Sequence, residues 1–280
     1  MIDKELEKFI KNSLNEDLKG GDHTSMACID KKSKNSAQLI VKDNGIIAGI
    51  ELAVFIFYIV DKELKTTLLF KDGDSVKEGD IILIVSGNSQ SILLAERLVL
   101  NCMQEMSAIA SKTRNICKLI STTKTKVLDT RKTIPLNRKI QKWAVKIGGG
   151  YNHRYGLFDM IMIKDNHIDF SNGITNAIHK TKQYLKDEKL NLDIIVETRN
   201  LNEVNEVLRE GGVRRILLDN FSFSDTKKAV KAINNKFETE SSGGITEDNI
   251  LEYAKCGVDF ISLGALTHTI KNFDLSLKAI

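Results

Sequence analysis

Residues 193–242 decide how the fold is read. They run Asp193-Ile-Ile-Val-Glu197, a helical pattern near 200–210, Arg215-Ile-Leu-Leu-Asp219, a second helical pattern near 222–233, and then Phe237-Glu-Thr-Glu-Ser-Ser242. Short apolar runs separated by helix-length segments predict parallel strands joined by crossover helices. The alternation extends outward to Lys126–Asp129, Met160–Lys164 and Asp259–Leu263 as strands, with helices near 136–147, 171–186 and 246–256. Such a sheet is either a barrel or a doubly wound layer. Polar residues mark the C-terminal ends of five strands: Asp129, Lys164, Glu197, Asp219 and Ser241-Ser242. A barrel gathers those ends on one face, whereas a doubly wound sheet concentrates its chemistry at one or two of them. The barrel is favoured. The loops after the last two strands, Ser242-Gly-Gly244 and Leu263-Gly-Ala265, carry glycine ahead of helical segments, where backbone amides can cradle a phosphate.

The first third of the chain has another pattern. Leu6, Phe9, Ile10 and Leu14 recur at helical spacing. Apolar runs follow at Gln38–Val41, Ile46–Ala48, Thr67–Phe70 and Ile81–Val85, separated by turn sequences at Asp43-Asn-Gly45, Asp72-Gly-Asp74 and Glu78-Gly-Asp80. With a helix over 51–60, this reads as a small antiparallel α+β domain, left by a long helix over roughly 90–120. The expected division is 1–107 and 108–280, with C-terminal residues able to pack back on the first domain.

Composition narrows the function. The chain has 280 residues, 42% hydrophobic, enough for a sizeable core, and a net charge of only +4. Aromatic residues make up only 6% and the net charge is near neutral, which argues against nucleic acid. Cys28, Cys102, Cys117 and Cys256 show neither CxxC pairing nor zinc spacing. With no signal-peptide pattern and no long uncharged apolar run, a cytoplasmic protein away from membranes is expected.

One segment departs from this mildness. From Arg131 to Lys164 there are eight Lys or Arg and a single acid, Asp159. Only nine of the 41 basic residues are Arg, yet Arg131, Arg138 and Arg154 fall here. Guanidinium is the planar fork suited to carboxylate or phosphate. Arg138, Lys139, Lys142 and Lys146 also fit a solvated helix face, and that is the reading taken for them. Pro135, the only proline, fixes a turn just before them. Arg131, Lys132, His153, Arg154 and Lys164 remain as candidates for holding a small, multiply charged substrate. Lys164, closing an apolar strand, is costly there unless it is paired. Glu197 and Asp219 read either as site carboxylates or as helix N-caps, and His167 as a cap.

The ordered pieces Gly21-Asp-His-Thr24, Glu96-Arg-Leu-Val-Leu-Asn101, Leu128-Asp-Thr-Arg-Lys-Thr133, Gly148-Gly-Gly-Tyr-Asn-His-Arg154, Ile163-Lys-Asp-Asn-His-Ile168, Leu218-Asp-Asn-Phe-Ser222, Ser242-Gly-Gly-Ile-Thr246 and Leu263-Gly-Ala-Leu-Thr267 resemble the quinolinate phosphoribosyltransferases, also called carboxylating nicotinate-nucleotide pyrophosphorylases. The resemblance covers nearly the whole chain. It implies an N-terminal α/β sandwich followed by an incomplete α/β barrel. The implied reaction makes nicotinate mononucleotide, pyrophosphate and CO2 from quinolinate and 5-phosphoribosyl-1-pyrophosphate, with Mg2+, in NAD synthesis. It further implies a homodimer, or a larger assembly of dimers, with shared sites. Arg131, Arg154, Lys132 and His153 would bind the pyridine carboxylates, joined by Arg97 from the neighbouring subunit. Lys164 would meet the phosphoribosyl donor. Lys132, Glu197 and Asp219 would be catalytic, the last two also facing the ribose hydroxyls and the metal. Ser242, Gly243, Gly244, Gly264 and Ala265 would receive the 5′-phosphate.

The chain departs from the family in Ile194-Ile-Val-Glu-Thr-Arg199, where acids often alternate and Ile195 stands instead, leaving Arg199 to neutralise Glu197 or face solvent. It departs again at Leu136, where glycine is common. The competing functions are a related transferase with another acceptor, such as the homologue associated with molybdenum transport, and a non-catalytic nucleotide-binding module.

Overall fold

The computed structural model describes residues 3–280. In chain order, the first elements are α1 (Lys4–Leu18), α2 (His23–Cys28), β1 (Lys34–Val41), β2 (Gly45–Ile46), α3 (Ile50–Val60), β3 (Lys65–Leu68), β4 (Ser75–Val76), β5 (Ile81–Asn88) and α4 (Ser89–Leu119). Then come β6 (Lys126–Leu128), α5 (Arg138–Ile147), β7 (Ile161–Ile163), α6 (Asp165–Phe170), α7 (Ile174–Asp187) and β8 (Ile194–Thr198). The chain closes with α8 (Leu201–Glu210), β9 (Arg215–Asp219), α9 (Phe223–Ile233), β10 (Glu238–Ser242), α10 (Ile250–Lys255), β11 (Phe260–Ser262), α11 (Ala265–His268) and β12 (Leu275–Ala279).

These elements form two compact units, each assembled from non-consecutive stretches. The first takes the described residues up to Arg114, then Ile134–Gly149 and Thr269–Ile280; the second takes Asn115–Thr133 and Gly150–His268. α5 and β12 therefore belong to the first unit.

The first unit holds a four-stranded sheet in the order β12-β1-β5-β3, all pairs antiparallel. β1 alternates buried and half-exposed residues from Ser36 onward, the period of a sheet with one buried face. α3 is apolar nearly all round, and Ile50, Leu52, Ala53, Ile56 and Phe57 are buried. Each such Leu, Ile or Phe contributes about 1.5–3 kcal/mol by leaving water. Two hydroxyls of α4 satisfy backbone groups that would otherwise be orphaned: Ser111 accepts from the Ile46 amide at 2.8 Å and Ser107 from the Ala48 amide at 3.0 Å. α5 corrects the sequence reading. Lys142 is only 1% exposed, so the basic positions of this helix do not all lie on a solvated face. Lys139 pairs with Asp3 and with Glu5. The spacing is helical as expected and Lys146 is exposed, but Lys139 is ion-paired and Lys142 is buried in the first unit.

The second unit holds six parallel strands in the order β6-β11-β10-β9-β8-β7. β6 and β7 are its edges, and among the described residues no pairing joins them, so the barrel is incomplete. All five residues of β8 are buried, as expected of a strand in a parallel sheet covered on both faces. The segment before β7 covers the β6 edge: Tyr151 donates to the Val127 carbonyl at 2.8 Å, and the Asp129 amide donates to the Tyr151 carbonyl at 3.1 Å. The helix expected over 171–186 is α7; the short α6 before it was not expected, and Gly173 at φ 114° parts the two. No helix among the described residues is long and apolar enough to cross a membrane.

Candidate active site

The C-terminal ends of the six strands enclose a cavity of about 780 Å³ within the second unit. Each parallel strand delivers its last residues to the same rim, so positions far apart in sequence converge there. Arg131, Lys132, His153, Arg154, Lys164, Glu197, Asp219, Ser242, Gly243, Gly244, Gly264 and Ala265 all line it. Arg97 does not: it lies exposed on α4, in the first unit.

One wall is cationic. Asp129, wholly buried after β6, accepts the His153 amide at 2.8 Å, which ties the 129–133 loop to the 151–154 segment. The guanidinium Nη1 of Arg154 reaches only the Met160 carbonyl, at 3.3 Å, and the buried Nε of Arg131 has no hydrogen-bond partner. Burial, and then the Arg131 guanidinium, push the Arg154 pKa below its ordinary value, against the opposing pull of Asp159. A desolvated guanidinium beside a second, half-buried one forms a site that a multiply charged anion would relieve. Lys132 completes this wall, and its carbonyl accepts the Thr267 hydroxyl at 2.8 Å. That bond joins the loop after β6 to the start of the chain beyond β11. A Cβ at Gly264 would lie 2.8 Å from Lys132 Cδ and 2.9 Å from His268, so glycine is what admits both side chains.

The opposite wall is acidic. Glu197, at the end of β8 and 9% exposed, is 3.0 Å from Lys164 Nζ. Lys164 is thus paired. Glu197 and Asp219 are not helix caps: Asn200 caps α8 and Ser222 caps α9. His167 is a cap, its Nδ1 accepting the Lys164 amide at 3.0 Å. Arg199 binds Glu203 at 2.8 Å and Asp169 at 3.1 Å, so the ion pair of Glu197 is with Lys164. Asp219 accepts the Asn220 amide at 2.8 Å, and the Asn220 backbone donates to the Ser242 carbonyl at 2.8 Å. Gly243 has φ 87°, and a Cβ there would meet Asn220 Oδ1 at 2.3 Å. Only glycine fits both the backbone and the space.

The sequence reading missed Thr130, Asn220, Glu240, Thr246 and His268, all of which line the cavity. Glu240 is the most consequential. It is fully buried on β10, 2.8 Å from Arg215 Nη1 and 3.4 Å from His153 Nε2. Burial works to raise its pKa, yet His153, Arg215 and the Ser262 hydroxyl hold it below the ordinary value. A signal was present in the alternating acids of Glu238-Thr-Glu240, with Arg215 paired in register to Glu238.

Among the described residues no group of three or more His, Cys, Asp or Glu could hold a metal ion. Two carboxylates do suit Mg2+, which keeps several waters and is held by one or two carboxylates plus substrate phosphates rather than by an all-protein cage.

The chain matches known proteins along nearly its whole length. The family described as quinolinate phosphoribosyl transferase matches over its N-terminal domain at residues 22–107 and its C-terminal domain at 109–278. The chain is 46% identical over 289 residues to a chloroplastic carboxylating nicotinate-nucleotide pyrophosphorylase of Arabidopsis thaliana, covering 98% of this chain and 82% of that one. It is 37% identical to a probable carboxylating nicotinate-nucleotide pyrophosphorylase of Bacillus subtilis, covering 98% and 93% of the two chains. The solved nicotinate-nucleotide pyrophosphorylase of Francisella tularensis superposes with a TM-score of 0.92 at 40% identity, covering 100% of this chain and 98% of that one. The chain belongs to the quinolinate phosphoribosyltransferase family.

Proposed function

We propose that the chain is the enzyme its family describes, a quinolinate phosphoribosyltransferase (decarboxylating), and that the cavity of the second unit is its active site. The reaction joins quinolinate to the ribosyl group of 5-phosphoribosyl-1-pyrophosphate and releases pyrophosphate, CO2 and nicotinate mononucleotide, a step of NAD synthesis. The observation that carries this reading is the pair of guanidiniums, Arg154 buried and Arg131 half-buried, lining a cavity that Glu197 and Asp219 also line.

Quinolinate brings two adjacent carboxylates, and Arg131, Arg154 and Lys132, with His153 behind them, supply the matching charge. Lys164, Ser242 and the glycine loops at Gly243-Gly244 and Gly264-Ala265 take the phosphates of the donor. Held by both ends, the ring nitrogen faces C1 of the ribose. As its lone pair forms the new C–N bond, the C–O bond to pyrophosphate breaks and positive charge develops on the ribose. Glu197 and Asp219 are fixed negative charges for that moment, and preorganised charge is usually the largest catalytic contribution. The electron pair of the breaking C–CO2 bond then stays on the ring carbon as a carbanion stabilised by the adjacent pyridinium charge, and a proton adds there in place of the lost CO2. Glu197 and Asp219 would also hold Mg2+ arriving with the donor, which when bound neutralises charge on the departing pyrophosphate.

The direct test supplies quinolinate, the phosphoribosyl donor and Mg2+. Nicotinate mononucleotide and CO2 should form in equal amounts, and product without CO2 would refute the reading. The working unit proposed is a cytoplasmic homodimer in which the partner's copy of the exposed Arg97 completes each site. Arg97→Ala and Glu197→Ala are then each inactive, but subunit exchange creates one dimer site with both defects and one with neither. Activity should return on mixing; a mixture that exchanges subunits and stays inactive would remove the shared site and leave the enzyme assignment standing.

A further inference from the structure

We propose that Glu240 is a positioning residue for the acceptor side of the cavity, acting through His153 on Arg154. The inference rests on the acceptor reading given under the proposed function. His153 Nδ1 accepts the Arg154 amide at 2.6 Å, so that nitrogen carries no proton and the ring proton sits on Nε2. Nε2 faces Glu240 Oε2 at 3.4 Å. The backbone amide of His153 is bound by Asp129 at 2.8 Å. The imidazole is therefore hydrogen-bonded at Nδ1 and faces the Glu240 carboxylate across 3.4 Å at Nε2, so it stands between a buried carboxylate and the peptide that carries Arg154.

Glu240 itself is anchored from below. Arg215 Nη1 donates to its Oε2 at 2.8 Å, while Arg215 Nε and Nη2 bind Glu238 at 3.0 and 2.8 Å. The Arg215 guanidinium also lies 3.9 Å from the centre of the Phe260 ring. Packing alone does not call for this arrangement, because apolar residues in place of a buried ion pair are often as stable or more so. What the carboxylate adds is direction. It draws the Nε2–H edge of His153 toward β10, which leaves Nδ1 turned to the Arg154 amide. Without that negative charge the ring is free to turn, and the Arg154 peptide loses its acceptor. His153 is then a spacer that sets Arg154 rather than one more cation for the substrate.

The test is Glu240→Gln, which keeps shape and removes charge, with the kinetics of each substrate measured separately. KM for quinolinate should rise on the order of 10- to 100-fold while KM for the phosphoribosyl donor stays within about twofold, as displacement of one binding group predicts. In a His153→Ala background, Glu240→Gln should add nothing further, because the two act in series. Equal changes in both KM values, no change in either, or independent effects in the double variant would each overturn the proposal. Nitrogen-15 NMR of the imidazole in the unaltered enzyme provides a readout that does not depend on the variant folding. It should show His153 protonated at Nε2 with Nδ1 as an acceptor, and protonation at Nδ1 would overturn the proposal. An unaltered enzyme that did not use quinolinate would refute the acceptor reading instead, and the ring signal would still report on the Glu240 contact.

Discussion

Glu105 in the first unit and Glu240 in the second show two ways to remove a carboxylate from water. Glu105, half-buried on α4, is met by neutral amides: Gln141 and Asn137 each donate to it at 2.6 Å. Burial dominates there, and its pKa is raised. Glu240 is buried completely and yet its pKa is lowered, because the groups around it are Arg215, His153 and Ser262. The depth of burial does not decide the outcome; the charge of the partners does. The difference extends to the units as wholes. Among the described residues, Lys142 is the one charged side chain that is fully buried in the first unit, whereas the second buries Asp129, Arg154, Glu197, Arg215 and Glu240 along with His153. Such charges are weak contributors to stability. Their concentration falls in the second unit, which holds the proposed active site.

The largest test of this contrast removes a charge from the cationic wall. Arg154→Ala should cost about 2–5 kcal/mol in quinolinate binding, since the substrate carboxylate and Arg131 are left without the second guanidinium. Arg131→Lys keeps the charge and loses the fork, so it should recover only part of such a loss. Both variants should unfold close to the parent's temperature, because the defect lies in the site. Parent-like kcat/KM in Arg131→Lys would show that the planar fork is not used.

The two carboxylates also predict pH effects of opposite sign. For Glu105 the folded pKa lies above 4.5, so its ionisation lowers stability progressively as pH rises from about 4.5 through the folded value. Glu105→Gln should therefore gain on the parent as pH climbs through that window. For Glu240 the folded pKa lies below 4.5, so its stabilisation is present above about 4.5 and disappears as pH falls through the folded value. Glu240→Gln should be less stable than the parent at neutral pH and converge with it in acid. Thermal unfolding of the three proteins across pH checks this, and parallel curves would dissolve the contrast.

A smaller effect lies outside both carboxylates. Leu136 holds φ 65° while 93% exposed, a conformation that an L side chain resists. Leu136→Gly should stabilise the protein by about 0.5–1 kcal/mol, the strain relieved less the backbone freedom glycine adds. A lower unfolding temperature would mean that the leucine is making a contact in solution that offsets its strain.

How much of this was legible in the sequence depended on whether the signal was local. β8 and β9 were readable because their apolar runs are short and end in Glu197 and Asp219, next to capped helices. The positions lining the cavity could be read for the same reason, since a parallel sheet sends every strand end to one rim. β12 left no local sign of its partner: Leu39 pairs with Leu277, and only the folded chain brings them together. Lys142 misled because helical spacing shows which residues share a face but not what covers that face. Glu240 was hidden within a strand, where an acid ordinarily signals an exposed side, and its partners Arg215 and His153 come from distant segments.

The central claim is that the cations lining the cavity of the second unit, Arg154 buried among them, read two adjacent acceptor carboxylates. The most direct measurement compares specificity constants for quinolinate and nicotinate with the same phosphoribosyl donor. A site left with unpaired cations by the monocarboxylate should prefer quinolinate by a factor on the order of 10⁴. Comparable constants for the two acids would contradict the account.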